Sequence, residues 1–283
     1  MLSFSNRTTI MRILITGAGG RLGRLLYAAR ERDDAPDTEV VFQSRGAGRD
    51  VQWRPGEPVE RLPDCDVLVA LWGATQGDAE ALSVNVGLVA QSRQVAQVCG
   101  ARAVFHLSSA AVYGPGAGLT ETATIAPLTP YGAAKAEMER RVRNVGAGMK
   151  ECILRLANVV GADSLAGALA SDKPVTLDRF DGGRGPVRSY IGAVDLLRVL
   201  SGLARVESGT LPFALNIAAP SPVAMEDLAR AAGKRVIWQP APEGAVQEVS
   251  IDTTRMHRLL PAIRTNADAA ALIGELNALE KVT

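Results

Sequence analysis

The chain has 283 residues, 47% of them hydrophobic, and carries 31 Lys and Arg against 30 Asp and Glu for a formal charge of +1. That length buries a substantial core, as one large domain or as one domain with a small lobe grown from its loops. The near balance of charge gives no electrostatic reason to expect nucleic acid or an acidic membrane as partner, which leaves small-molecule chemistry.

The opening stretch, "MLSFSNRTTI", has no sustained apolar run and no small-residue cleavage site, so it does not read as a secretory signal. A cytoplasmic protein is expected, with residues 1–11 a tail ahead of the first strand. Cys65, Cys99 and Cys152 are far apart and odd in number, as buried thiols of a reducing compartment would be. The two histidines, His106 and His257, leave little for a metal site, and none is expected.

The first strand, "RILI" (12–15), ends in "TGAGGRLG", and a helical run over 21–31 follows at once. Glycines there let the chain turn tightly and approach a pyrophosphate, which then sits at the positive end of the helix dipole. Gly17, Gly20, Arg21, Leu22 and Gly23 are therefore expected to bind a dinucleotide. The second strand, "EVVF" (39–42), runs into Ser44 and Arg45, where an acid would hold the adenosine ribose of NAD. An arginine instead attracts a 2'-phosphate, and Arg21 could reach the same group, so NADP is favoured over NAD. The alternative is that both arginines are solvated surface groups.

Next come "DVLVAL" (66–71), a helix over 79–98 and the strand "AVFHL" (103–107), which ends in "SSAAVYGPG". "TPYGAAKAEMERRV" (129–142) then places Pro130 in the first turn of a helix over 131–145, with Tyr131 and Lys135 four residues apart on one face. A neighbouring ammonium favours the phenolate, which is expected to lower the pKa of Tyr131. The same ammonium can donate to a nicotinamide ribose. "CILRL" (152–156) is a fifth buried strand. Strands alternating with helices predict an α/β fold, a doubly wound parallel sheet covered on both faces, over residues 12–161. Past that point the rhythm breaks, with helical stretches near 193–204, 225–232 and 267–281. Residues 162–283 are expected to form a small substrate-binding lobe interleaved with the last sheet elements, about 187–218.

The set "TGAGGRLG", "HLSSAAVYG" and "YGAAK", in this order, resembles the extended short-chain dehydrogenase/reductase superfamily, in its NAD-dependent epimerase/dehydratase branch. "NVGLVAQSRQV", "LRLANVVG", "RSYIGAVDLL", "LNIAAPSPVAMEDLA" and "IDTTRMHRLL" extend the likeness over most of residues 12–260. The resemblance implies a Rossmann fold, Ser109 as the hydroxyl that holds the substrate oxygen, and Tyr131 and Lys135 as the acid/base pair that also binds cofactor. It places Asn85 near a proton relay, although a helical Asn bonded to backbone is an equal alternative. Asn158 and Arg188 fall at substrate positions, and Tyr113 is a candidate contact unless it simply packs beside its Gly-Pro turn.

Two departures narrow the chemistry. Ala110 and Ala111 follow Ser109 where dehydratases of this family carry an Asp-Glu pair, so dehydration is disfavoured, and Ser189 and Gly192 replace polar residues of the late segment. The expected activity is hydride transfer to or from a secondary alcohol of a sugar-like or nucleotide-sugar substrate, by reductase or epimerase. The alternatives are a strict nucleotide-sugar epimerase that retains NAD and a non-catalytic NADP-sensing protein. A small molecule is the expected partner, and a homodimer is compatible with the sequence.

Overall fold

The computed structural model describes residues 10–32, 37–143 and 149–281. Most of the expected tail, residues 1–9, lies outside them. In the first half, β1 (Met11–Thr16), α1 (Arg21–Ala29), β2 (Thr38–Ser44), the short β3 (Val51–Gln52), β4 (Val67–Ala70), α2 (Ala79–Val98), β5 (Ala103–Ser109), β6 (Gly116–Leu119), α3 (Pro130–Arg143) and β7 (Lys150–Leu156) follow one another. Then come β8 (Asn158–Val159), α4 (Ala166–Ala170), β9 (Val175–Arg179), β10 (Val187–Ile191), α5 (Ala193–Arg205), β11 (Ala214–Ile217), β12 (Pro222–Ala224), α6 (Met225–Ala231), β13 (Val236–Pro240), β14 (Glu248–Ile251), α7 (Thr254–Leu259) and α8 (Ala269–Glu280).

Seven strands form one parallel sheet in the order β11-β7-β5-β4-β1-β2-β3. Alternate side chains along these strands feed two cores, which is why the runs are apolar throughout. Ile13, Ile15, Phe42, Val67, Val69, Phe105 and Leu154 pack with Leu25, Leu26, Leu196, Leu200 and Leu276 of α1, α5 and α8. Leu14, Val41, Leu68 and Val104 pack on the other face with Trp53, Val95 and Ala96, and Ile153 meets Met138 and Val142 of α3. The strand order reverses between β1 and β4, so the crevice beyond their carboxyl ends is where such a sheet binds ligands.

The smaller layer is a sheet in the order β12-β10-β14-β6, with β8 also paired to β10, and a parallel β9-β13 pair. It recruits β6 and β8 from the first 161 residues. Within 187–218, only α5 and β11 join the large layer, whereas β10 belongs to the second sheet because it pairs with β12 and β14.

Candidate functional site

Three loops at the carboxyl end of the large sheet build the site. After β1 the chain turns at Gly17, whose φ of +78° is a backbone conformation that side chains disfavour, and where a Cβ would lie 2.6 Å from Trp72 Cα. Gln43 of β2 pins this turn. Its Oε1 accepts from Gly17 N at 3.0 Å, its Nε2 donates to Trp53 O at 2.5 Å, and its carbonyl accepts from Ala18 N. Gly20 is the N-cap of α1 and offers no side-chain cap, and no acidic residue occupies the first turn, so the helix supplies no carboxylate of its own to its opening N–H groups. Gly23 is buried against the turn, where a Cβ would come within 2.4 Å of Ala18 Cα. Arg21 is exposed and Leu22 is half-buried against the core.

At the end of β2, Ser44 is buried, and its Oγ donates to Gly46 O at 2.5 Å. Arg45 is exposed beside it. Arg49 was not singled out by the sequence, yet it lies across the same turn. Its Nε donates to Ala18 O at 3.2 Å, and its guanidinium stacks 4.5 Å from the Tyr27 ring centroid. Asp50, the acid nearest in sequence, is held by Arg30 and by Phe42 N.

The second loop begins at Ser109, the last residue of β5. Its Oγ accepts from Ala111 N at 3.1 Å, capping a 3-10 turn over Ala110–Val112. Ser109 is also hydrogen-bonded to Tyr131, and burial outweighs that bond to push the phenol above its ordinary pKa. The expectation of a phenol lowered by its neighbouring cation is thus not met. Lys135 aims its Nζ at the carbonyl of Leu107, 2.7 Å away, and sits 5.9 Å from the Tyr131 ring centroid. Lys135 is 5% exposed, and burial pushes its ammonium down to about 8 against the opposing pull of Glu139.

Pro130 opens α3, and Thr129 caps it by accepting from Gly132 N at 3.0 Å. That placement sets Tyr131 and Lys135 one turn apart on the side facing β5. Ser108 points elsewhere, donating to Glu139 Oε1 at 2.6 Å.

Asn85 of α2 closes the third side. Its Oδ1 accepts from Ala74 N and its Nδ2 donates to Ala74 O, both at 3.0 Å, so the amide clips the loop after β4. That loop runs between Asn85 and Lys135: a Cβ on Gly73 would lie 2.3 Å from Asn85 Oδ1 and 3.7 Å from Lys135 Nζ.

The expected substrate contacts are not gathered there in the same way. Tyr113 is 2% exposed, and its hydroxyl donates to Asn216 Oδ1 and accepts from Arg155 Nη1, each at 2.8 Å. With the phenol buried and both bonds made, it ties the loop after β5 to β7 and β11 of the large sheet. Arg188 donates to the carbonyls of Val187, Gln247 and Val246, and burial holds its guanidinium below its ordinary pKa, so it ties β10 to the chain before β14. Asn158 is hydrogen-bonded to Tyr190, whose hydroxyl donates to Asp163 Oδ2 at 3.1 Å. No group of three or more His, Cys, Asp or Glu able to hold a metal ion occurs among the described residues, and none of their helices is long and apolar enough to cross a membrane.

Comparison with known proteins identifies the family and the fold. The sequence profile of the NAD dependent epimerase/dehydratase family matches residues 13–180. Over 76 residues the chain is 42% identical to a UDP-glucose 4-epimerase of Azospirillum brasilense, a match that spans 25% of this chain and 22% of that relative. A structure of MoeE5 in complex with UDP-glucuronic acid and NAD superposes with a TM-score of 0.77 at 20% identity, covering 96% of this chain and 100% of that one. The UDP-glucuronic acid 4-epimerase of Bacillus cereus, in complex with UDP-glucuronic acid and NAD, gives 0.76 at 19% identity over the same shares. At these identities the structural likeness is one of fold.

Proposed function

We propose, from the premise that the chain belongs to the NAD dependent epimerase/dehydratase family, that it transfers hydride to or from the carbon of a secondary alcohol in a sugar-like or nucleotide-sugar substrate. The observation that carries this reading is Tyr131 hydrogen-bonded to Ser109, with the Lys135 ammonium one helical turn behind. A dinucleotide fits the chain's own features: a turn with no room for a Cβ at Gly17 and Gly23, and a helix N-terminus with no acidic residue in its first turn. Gly17, Gly20, Arg21, Leu22 and Gly23 would hold its pyrophosphate. Lys135 would donate to the nicotinamide ribose, and Ser44, Arg45 and Arg49 would surround the adenosine ribose. When bound, the nicotinamide accepts or supplies the hydride.

The protein's residues divide the remaining work. Ser109 donates to the substrate oxygen and fixes its position. Tyr131 gives a proton to that oxygen during reduction and takes it back during oxidation. Burial raises the phenol, so Tyr131 holds the proton that a reduction would deliver. Asn85 keeps the β4 loop against Lys135. Ala110 and Ala111 offer no acid/base group, which disfavours dehydration.

Arg45 and Arg49, with no carboxylate ending β2, favour NADP and a reductase with net cofactor turnover. A second reading, strict epimerisation of a nucleotide sugar with retained NAD, draws on relatives described with NAD and UDP-sugars. Two measurements separate them: the nucleotide that copurifies with the protein, and consumption of NADPH or NADH with a panel of ketoses and nucleotide sugars. Retained NAD without net consumption supports epimerisation. A purified protein that binds neither dinucleotide overturns both.

A further inference from the structure

A buried ionic cluster lies directly behind the acid/base pair. Glu139 is one helical turn past Lys135 on α3 and 6% exposed. Its carboxylate accepts from Arg155 Nη2 at 2.7 Å, from Arg155 Nε at 3.1 and 3.2 Å, and from Ser108 Oγ at 2.6 Å. Arg155 is 3% exposed and has further partners in the Tyr113 hydroxyl and the carbonyl of Glu121. The cluster therefore sets two buried cations, Lys135 and Arg155, beside the Glu139 carboxylate, while the Glu121 carboxylate is turned to Asn216 N and Arg255.

We propose that Glu139 is a positioning residue whose negative charge keeps the buried Lys135 side chain an ammonium, and so able to hold a dinucleotide, at physiological pH. Burying an amine favours its neutral form, and a carboxylate one turn away opposes that loss. Among the described residues Lys135 donates to Leu107 O, a neutral group that gains less from the charged form than a carboxylate does.

The other charged groups near Lys135 cannot replace Glu139. On α3, Tyr131 stays neutral because burial raises its phenol. From β7, Arg155 is a cation and works against a second positive charge. From β5, His106 lies toward Glu151, 3.8 Å away, and Glu151 is paired with Arg93 of α2. Asn85, also of α2, carries no charge.

The inference rests on the reading of Lys135 as a ligand of the dinucleotide, and its test separates the two. NADPH dissociation constants are measured across pH for the wild type, Lys135→Met, Glu139→Gln, Glu139→Asp and Arg155→Met, with a thermal melt for each. The wild type should lose affinity as pH rises through about 8, and Lys135→Met should abolish that alkaline limb. Glu139→Gln removes the charge and keeps the shape, so the limb should move down by roughly 1 pH unit, which is about fivefold weaker binding at pH 8. Glu139→Asp should keep the limb near its wild-type position even if the melting temperature falls. Arg155→Met removes the competing cation, so its limb should move up; should Glu139→Gln alone not fold, the Glu139→Gln/Arg155→Met double variant decides the question, its limb falling below that of Arg155→Met if the Glu139 charge supports the ammonium.

A limb unmoved in Glu139→Gln, or one that follows melting temperature across the variants, overturns the proposal. Lys135→Met with wild-type affinity and an intact limb overturns the cofactor reading on which it rests.

Discussion

Ser108 and Ser109 are neighbours with opposite expected roles, and the structure supplies the magnitudes that separate them. Ser108 is 3% exposed, and its 2.6 Å bond to Glu139 has the short length of a hydroxyl donating to a carboxylate. Removing such a bond costs about 1.5–3 kcal/mol. The loss should fall at the low end, because Arg155 still satisfies the carboxylate. For a chain of this size that is a drop of roughly 3–6 °C in melting temperature, at about 2–4 °C per kcal/mol. Ser109 makes an uncharged bond to Ala111 N at 3.1 Å and is half-buried, so Ser109→Ala should cost only about 0.5–1.5 kcal/mol of stability. Its effect belongs in the rate, where losing a donor aimed at developing charge costs roughly 10² to 10³ in turnover. Thermal melts and NADPH-coupled turnover of the two alanine variants decide the matter. Ser108→Ala should melt early and react normally; Ser109→Ala should melt almost normally and react slowly. A rate defect confined to Ser108→Ala would refute the assignment and put the register of β5 off by one.

Arg45→Glu should weaken NADPH binding by about 10- to 150-fold more than NADH binding, the ratio that corresponds to a lost charge-assisted contact of about 1.5–3 kcal/mol. Equal losses for the two cofactors would remove the case for a 2'-phosphate. Gly23→Ala drives a Cβ to 2.4 Å from Ala18 Cα, a backbone contact that cannot relax without moving α1. It should cost about 1–3 kcal/mol of stability along with dinucleotide affinity, and a variant normal in both would contradict the packing. Burial would raise the Glu151 carboxyl, but hydrogen bonding and charge from His106 and from Arg93, the latter at 2.5 and 2.7 Å, bring it down to about 2. A carboxyl lowered on folding adds stability that is full above its ordinary pKa and vanishes as pH falls through the folded value. The stability gap between wild type and Arg93→Met should therefore be widest near neutrality and narrow between about pH 4.5 and 2. A gap independent of pH would show that the ion pair is not its source.

The parts of the molecule legible in sequence are those whose signal is local. Five apolar runs with helices between them give five strands of the large sheet, because each strand buries both faces and needs no partner to be recognised. The glycine turn and the Tyr131 to Lys135 spacing are likewise written within single turns of chain. What stayed hidden depends on contacts between distant segments. β9 and β13 pair across some sixty residues, and β6 joins β14 in the second sheet, so neither could be placed from local periodicity. Tyr113 and Arg188 look like ligand contacts because they are polar groups beside turns. Only the fold reveals that Asn216, Arg155 and the carbonyls of Val246 and Gln247 already occupy them. Glu139 could have been noticed as a carboxylate four residues past Lys135, but its partner Arg155 lies sixteen residues further on and one strand away. The direction of the Tyr131 shift was missed for the same reason: burial decides it, and burial is a property of the whole chain.

Hydride transfer assisted by Tyr131 is tested most directly by nicotinamide absorbance in single-turnover mixtures of NADPH, a panel of ketoses and nucleotide sugars, and either the wild type or Tyr131→Phe, with NADPH affinity measured in parallel. Tyr131→Phe removes one oxygen and little volume. Both proteins should bind NADPH alike, the wild type should oxidise it with at least one substrate, and the variant should be slower by roughly 10² to 10⁴. A Tyr131→Phe protein that turns over that substrate at the wild-type rate would contradict the assignment of Tyr131 as the proton donor.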